Sequence, residues 1–142
     1  KFPKFLNFGK PGFNFGVQGI QFTATSTVAE NQVLSSSMYV HSIPTNADNQ
    51  DVVSMGTNSA LLTSVVIENC FQVLAVHWIC LIRAYYLLSE KQNMASKTLE
   101  LVEFFSEHIP KPNDLDEPLY IQIEKLVELF KKFNGNNKFI YE

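Results

Sequence analysis

Positive charge is missing from half of this sequence. Between Pro11 and Ile82 there is no lysine or arginine, and only Glu30, Asp48, Asp51 and Glu68 carry charge. A water-facing surface of that length normally carries many more charges, so most of the segment is expected to be covered by protein. Cysteine is almost absent too. Cys70 and Cys80 fall on one expected helix, about 15 Å apart along its axis, and cannot bridge each other. Two buried, unpaired thiols fit a reducing compartment and predict a cytoplasmic protein. His41, His77 and His108 have no mutual spacing that suits a metal, and the cysteines complete no ligand set, so no metal site is expected. The stretch "GKPGFNFG" lacks the Lys-Ser/Thr ending of a phosphate loop, and no Gly-x-Ser-x-Gly nucleophile elbow occurs. The N-terminal "KFPKFLNFGKPGF" has Pro and Gly where a signal peptide needs an apolar core. Lysine rather than methionine stands first, which predicts a piece of a longer polypeptide.

What is present is apolar and helical. With 142 residues, 46 % apolar and 13 % aromatic, the chain can bury a core, and one domain is expected. Residues 1–16 read as an irregular apolar loop. Residues 17–90 form a long-helix core segment containing a polar loop at 42–56, and 91–142 supply solvated C-terminal helices. In the first helix, over 17–36, Ile20, Thr23, Ala24, Thr27, Val28 and Val33 fall near helical spacing. Pro44 ends anything helical before the loop. From Asp51 to about Glu90 only Gly56 interrupts an apolar run, which predicts one helix of about 55 Å or two meeting at Gly56. Its centre, "CFQVLAVHWICLI", is apolar on all faces.

The uncharged window from Asn69 to Ile82 is 14 residues and includes Gln72 and His77. A bilayer crossing needs about 20, so the expected role is a central bundle helix covered by neighbouring subunits rather than a membrane span. His77, next to Trp78, is expected to be a hydrogen-bonded core residue. Two further helices follow. "SKTLELVEFFSEHI" places Leu99, Val102, Phe105 and Ile109 on one face before Pro110 and Pro112 stop it. "EPLYIQIEKLVELFKKF" follows with Asp116 as its expected cap, Pro118 in the first turn and Gly135 as its stop. From Glu90 onward there are seven lysines and ten carboxylates, too acidic a surface to track a phosphate backbone, so no nucleic-acid partner is expected. The fold class is all-α.

The loop "SIPTNADNQDVVSMG", Ser42 to Gly56, concentrates polar groups just before the longest apolar run. Two readings are open. Asp48 or Asn49 could cap the long helix, with Asp51 favourable against the helix dipole. Alternatively, the side-chain amides could line a site for a small polar ligand such as an amino acid.

Together with "GFNFGVQGIQFTATSTVAEN" before it, this loop resembles the C-terminal part of the aromatic and histidine ammonia-lyase and aminomutase family. That family shows an Asn-Ser-Gly-Phe-like segment, a helix ending in Ala-Glu-Asn, a Ser-x-Pro-Thr/Ser loop, and Ser-Met-Gly opening a long helix. The matching positions are Asn14 to Gly16, Ala29 to Asn31, Ser42 to Thr45, and Ser54 to Gly56, in the same order. The resemblance implies a homotetrameric long-helix bundle with active sites shared between subunits. It also implies a small-molecule L-amino-acid substrate, which either loses ammonia to give an α,β-unsaturated acid or undergoes a 2,3-amine shift. The family's electrophile is methylidene-imidazolone, made from an Ala-Ser-Gly tripeptide. No Ala-Ser-Gly occurs here, nor do the family's base-bearing tyrosine loop and carboxylate-binding arginine. The chain therefore matches about the last quarter of a family polypeptide and is expected to be inactive alone.

Position by position, the resemblance makes Gln50 the catalytic-site residue, standing where histidine-specific members carry Glu and phenylalanine or tyrosine members carry Gln. A neutral amide cannot supply the charge that a protonated imidazole would pair with, which favours an aromatic substrate without a basic ring. Asn49 and Asn46 match substrate-binding positions of the aromatic branch. Phe22 falls where tyrosine aminomutases place a Tyr beside the substrate phenol, so phenylalanine is at least as well suited as tyrosine. The rival readings are histidine ammonia-lyase and a non-catalytic helical oligomerisation module.

Overall fold

A computed structural model describes residues 1–50, 52–89 and 94–132. Four helices carry the fold: α1 (Gln18–Leu34), α2 (Gly56–Leu87), α3 (Ser96–Ser106) and α4 (Tyr120–Lys132). Among the described residues no strand forms, and isolated bridges pair only Pro11 with Asn14 and Thr45 with Gln50. The fold is all-α.

α2 is the axis on which the other helices pack. Its C-terminal half buries Ala75, Val76, Ile79 and Ile82 at helical spacing, and Ile79 and Ile82 are fully enclosed with Ile109 and Leu126. Each such side chain contributes roughly 1.5–3 kcal/mol of burial free energy. α1 runs antiparallel to α2: Thr27 meets Gln72, whereas Asn31, one turn further on, meets Asn69 and Cys70. Thr27 is buried, and its Oγ1 lies 2.9 Å from both the Thr23 carbonyl oxygen and Gln72 Oε1, so the polar side chain enters the core satisfied. α3 contributes Phe105, whose ring stacks on Trp78 at 3.8 Å between centroids. α4 seats Gln122, Ile123 and Leu126 inward and pairs Lys131 with Glu68 of α2.

Several expectations change. The long helix starts at Gly56 rather than at 51, behind Met55, which adopts a left-handed conformation (φ 51°) and makes no side-chain cap. Asp48 and Asn49 therefore do not cap α2. The loop folds back on itself before the helix begins, and Asp51 lies outside the described residues. Asp116 does not cap α4 either. Its carboxylate accepts from the backbone N–H groups of Phe15 (2.8 Å) and Gly16 (3.1 Å), tying the segment before α4 to the entry of α1. Gly135 lies outside the described residues.

On α1 the buried face is Ile20 and Thr27 with half-buried Ala24, preceded by buried Val17 at the helix entry, while Thr23, Val28 and Val33 are exposed, because the antiparallel contact with α2 selects a different stripe. Cys70 is exposed and Cys80 half-buried, so the two-buried-thiol argument for compartment does not hold. His77 is exposed, not a core residue, since the inward stripe of α2 passes through Val76 and Ile79 instead.

Much of the charge-poor segment is left uncovered by the described helices. Phe22, Leu61, Val65, Ile67, Leu74 and Leu81 are all exposed. By length and composition alone, α2 is also one helix long and apolar enough to cross a membrane, although its C-terminal half forms this chain's core.

Residues 1–16 contain a single short 3₁₀ turn, Lys4–Leu6, and are held by polar contacts. Asn7 Nδ2 donates to the Asn14 carbonyl at 2.7 Å, and Asn14 Oδ1 accepts from Lys10 N–H at 2.9 Å. Arg83, buried on α2, donates through Nε to the Leu6 carbonyl at 3.4 Å, with its guanidinium 5.2 Å from the Phe8 ring centroid. Burial lowers the Arg83 pKa from its ordinary value, and the charges of Asp116, Cys80 and Glu117 oppose the shift. Gly16 is required here. Its φ is +56°, and a Cβ would run into the Phe5 carbonyl oxygen, which already accepts from Val17 N–H at 2.9 Å.

Candidate active-site loop

The loop between α1 and α2 contains a small closed hairpin. Thr45 N–H donates to the Gln50 carbonyl at 2.9 Å and Gln50 N–H returns to the Thr45 carbonyl at 3.2 Å, a reciprocal antiparallel pair. Between them Asn46, Ala47 and Asp48 all lie in the left-handed region, at φ 57°, 52° and 64°, and Asn49 N–H closes the turn on the Asn46 carbonyl at 3.1 Å. Asn and Asp tolerate this region because their short polar side chains can bond locally; Ala47 has no such compensation. A second tie sits outside the hairpin, where Ser42 Oγ accepts from Val53 N–H at 2.7 Å and gathers the two flanks.

This arrangement places Asn46, Asn49 and Gln50 on one short, internally bonded loop, all three exposed. The Thr45 hydroxyl donates to Gln50 Oε1 at 3.3 Å. Phe22 is elsewhere. It projects from the first half of α1, 68 % exposed, and no hydrogen bond or ring contact among the described residues joins it to the hairpin. The structure thus brings three of the four candidate residues together and leaves the fourth apart. Sequence reasoning missed Ser42 and Thr45 as the residues that shape the loop. The available signal was a Thr and a Gln bracketing an Asn-Ala-Asp run that can turn left-handed. Among the described residues no group of His, Cys, Asp and Glu is placed to hold a metal.

Comparison with known proteins bears on what such a loop serves. The family model for aromatic amino acid lyases matches residues 1–107, which includes α1, the hairpin, α2 and α3. A tyrosine ammonia-lyase of Cereibacter sphaeroides is 38 % identical over 126 residues, covering 87 % of this chain and 24 % of that protein. A histidine ammonia-lyase of Halalkalibacterium halodurans is 38 % identical over 108 residues, covering 76 % and 21 %. The crystal structure of a tyrosine aminomutase from Streptomyces globisporus superposes with a TM-score of 0.86 at 30 % identity, over 92 % of this chain and 24 % of that one. The chain therefore spans about a quarter of the length of these relatives. With the ordered motifs, the helical architecture and the family match in agreement over most of its length, the chain belongs to the aromatic amino acid lyase family.

Proposed function

We propose that this chain is the C-terminal helical portion of an ammonia-lyase or aminomutase acting on an aromatic L-amino acid, phenylalanine or tyrosine, and that Asn46, Asn49 and Gln50 form one wall of its substrate site. The observation that carries the reading is the hairpin, which holds three neutral amide side chains together and exposed in a member of this family. Gln50 is the residue that argues for an uncharged ring, because a carboxamide brings no charge to pair with an imidazolium. A second reading, histidine ammonia-lyase, draws support from relatives of that name and is opposed by Gln50.

The chain contains no Ala-Ser-Gly, so its residues do not make a methylidene-imidazolone. Such an electrophile would be formed by a longer polypeptide, and the role left to this chain is to bind and orient the substrate. The 142 residues alone are then inactive. The exposed apolar side chains of α1 and α2, among them Phe22, Leu61 and Ile67, support burial against further helices of that polypeptide and of other copies. The homotetramer and the cytoplasmic location belong to the same proposal and rest on the family alone.

The test is to express the full-length polypeptide that carries this segment and assay it with L-phenylalanine, L-tyrosine and L-histidine, following the unsaturated or β-amino acid product. Turnover of an aromatic substrate in preference to histidine is expected, with none from the 142-residue chain. A preference for histidine, or turnover by the short chain, would overturn the reading.

A further inference from the structure

We infer that Ser42 is a positioning residue that holds the hairpin, and with it Gln50, in a fixed place relative to the start of α2, so that the substrate meets an ordered wall. The inference rests on the proposed placement of Gln50 in the substrate site. The 3₁₀ turn Met38–His41 lies against α2, and Ser42 follows it directly. Its Oγ accepts from the Val53 backbone N–H at 2.7 Å. The direction of this bond is fixed, because a backbone N–H can only donate. Ser42 and Val53 are half-buried, whereas residues 43–50 and Val52 are exposed, so the tie marks where the loop leaves the body of the protein.

Two closures are nested here. The inner one joins Thr45 to Gln50, and the outer one joins Ser42 to Val53, three positions further out on each flank. Three residues span at most about 11 Å, so the tie keeps the hairpin within that reach of Val53, just before α2 begins at Gly56. Among the described residues no hydrogen bond joins the hairpin to α1 or α2. The inner closure therefore sets the shape of the loop and the outer one sets its place. Pro44, between them, stiffens one flank with its fixed φ. Without the Ser42 oxygen the half-buried Val53 N–H loses its acceptor, and the anchors of the loop move out to the 3₁₀ turn and Gly56. The substrate would then have to order the amides itself, a cost that a pre-organised wall avoids.

The experiment uses the full-length polypeptide with Ser42→Ala, Ser42→Thr, Gln50→Ala and the double change Ser42→Ala with Gln50→Ala, and reads kcat/KM for the better aromatic substrate. Far-UV circular dichroism and elution volume check that each variant folds and assembles. Ser42→Ala is expected to lower kcat/KM about threefold to tenfold, the size of one lost hydrogen bond, and Ser42→Thr, which keeps the hydroxyl, to stay within about twofold of the unaltered enzyme. Once Gln50→Ala has removed the amide that Ser42 places, Ser42→Ala should cost less than about twofold more. Full additivity of the two changes, or failure of threonine to rescue, would make Ser42 merely structural and overturn the inference. An unchanged kcat/KM in Ser42→Ala, with Gln50→Ala impaired, would overturn the role of Ser42 and leave the placement of Gln50 standing. An unimpaired Gln50→Ala would overturn that placement and the inference with it.

Discussion

The contact between Asp116 and the entry of α1 makes a quantitative prediction, because it replaces the helix cap that local sequence suggests. Asp116 accepts two backbone N–H groups, from Phe15 at 2.8 Å and Gly16 at 3.1 Å, about a hundred residues away in sequence. Hydrogen bonds to a charged group contribute about 1.5–3 kcal/mol each where water is excluded. This carboxylate is exposed and regains water when released, so roughly 0.5–1 kcal/mol per bond is the better figure. Asp116→Ala should therefore cost roughly 1–2 kcal/mol, a fall in Tm of about 3–8 °C for a chain of this size. Asp116→Asn keeps an acceptor and should lose about half as much.

Hydrogen exchange supplies the decisive assay. In Asp116→Ala the amides of Phe15 and Gly16 should exchange up to about tenfold faster, since 1.4 kcal/mol is one decade. The first-turn amides of α4 should be unaffected. If instead Phe15 and Gly16 keep their protection while the amides of Ile121 and Gln122 lose theirs, the carboxylate is an ordinary cap and the tertiary tie is refuted.

Four further outcomes are expected. Gly16→Ala should destabilise by at least about 1–2 kcal/mol, from the left-handed φ alone and more from the Phe5 carbonyl, and denaturant unfolding that shows no loss would contradict the close approach. Ile79→Ala, at a fully buried site, should cost about 2–5 kcal/mol in the same assay, and a loss under about 1 kcal/mol would mean that α2 does not form the core. Burial raises the Cys80 thiol pKa above its ordinary value, with Arg83 opposing. A group whose folded pKa is the higher one contributes fully below the unfolded value and loses that contribution as pH rises through the folded value, so stability should decline above about pH 8.5. At pH 8 iodoacetamide should modify exposed Cys70 well before Cys80, and equal rates would refute the difference in environment.

Periodicity made α3 legible. Val102 and Phe105 are buried and Leu99 is half-buried, as a 3.6-residue repeat with polar residues between requires; the helix ends at Ser106, short of Pro110, and Ile109 is buried from the turn that follows. The turn chemistry of the hairpin was only partly legible. Asn46 and Asp48 advertise a left-handed turn, but Ala47 does not, and its φ follows from the bonds that close the loop around it. The capping signals misled for two reasons: Asp48 and Asn49 sit in a hairpin that closes before α2 begins at Gly56, whereas the Asp116 carboxylate accepts from N–H groups outside α4. In Asp116 the winning partners come from the other end of the chain.

By itself the sequence determined that the chain is helical, that its middle is poor in charge, and that its motifs run in the order of the aromatic amino acid lyases. These depend on local spacing and composition, which a linear string contains in full. The tertiary structure alone decided which stripe of α1 meets α2, that His77 and Cys70 point outward, that Asp116 clasps Phe15 and Gly16, and that Thr45 lies against Gln50. Each of those is a choice among chemically equivalent partners, and only the packing of distant segments in space selects one of them.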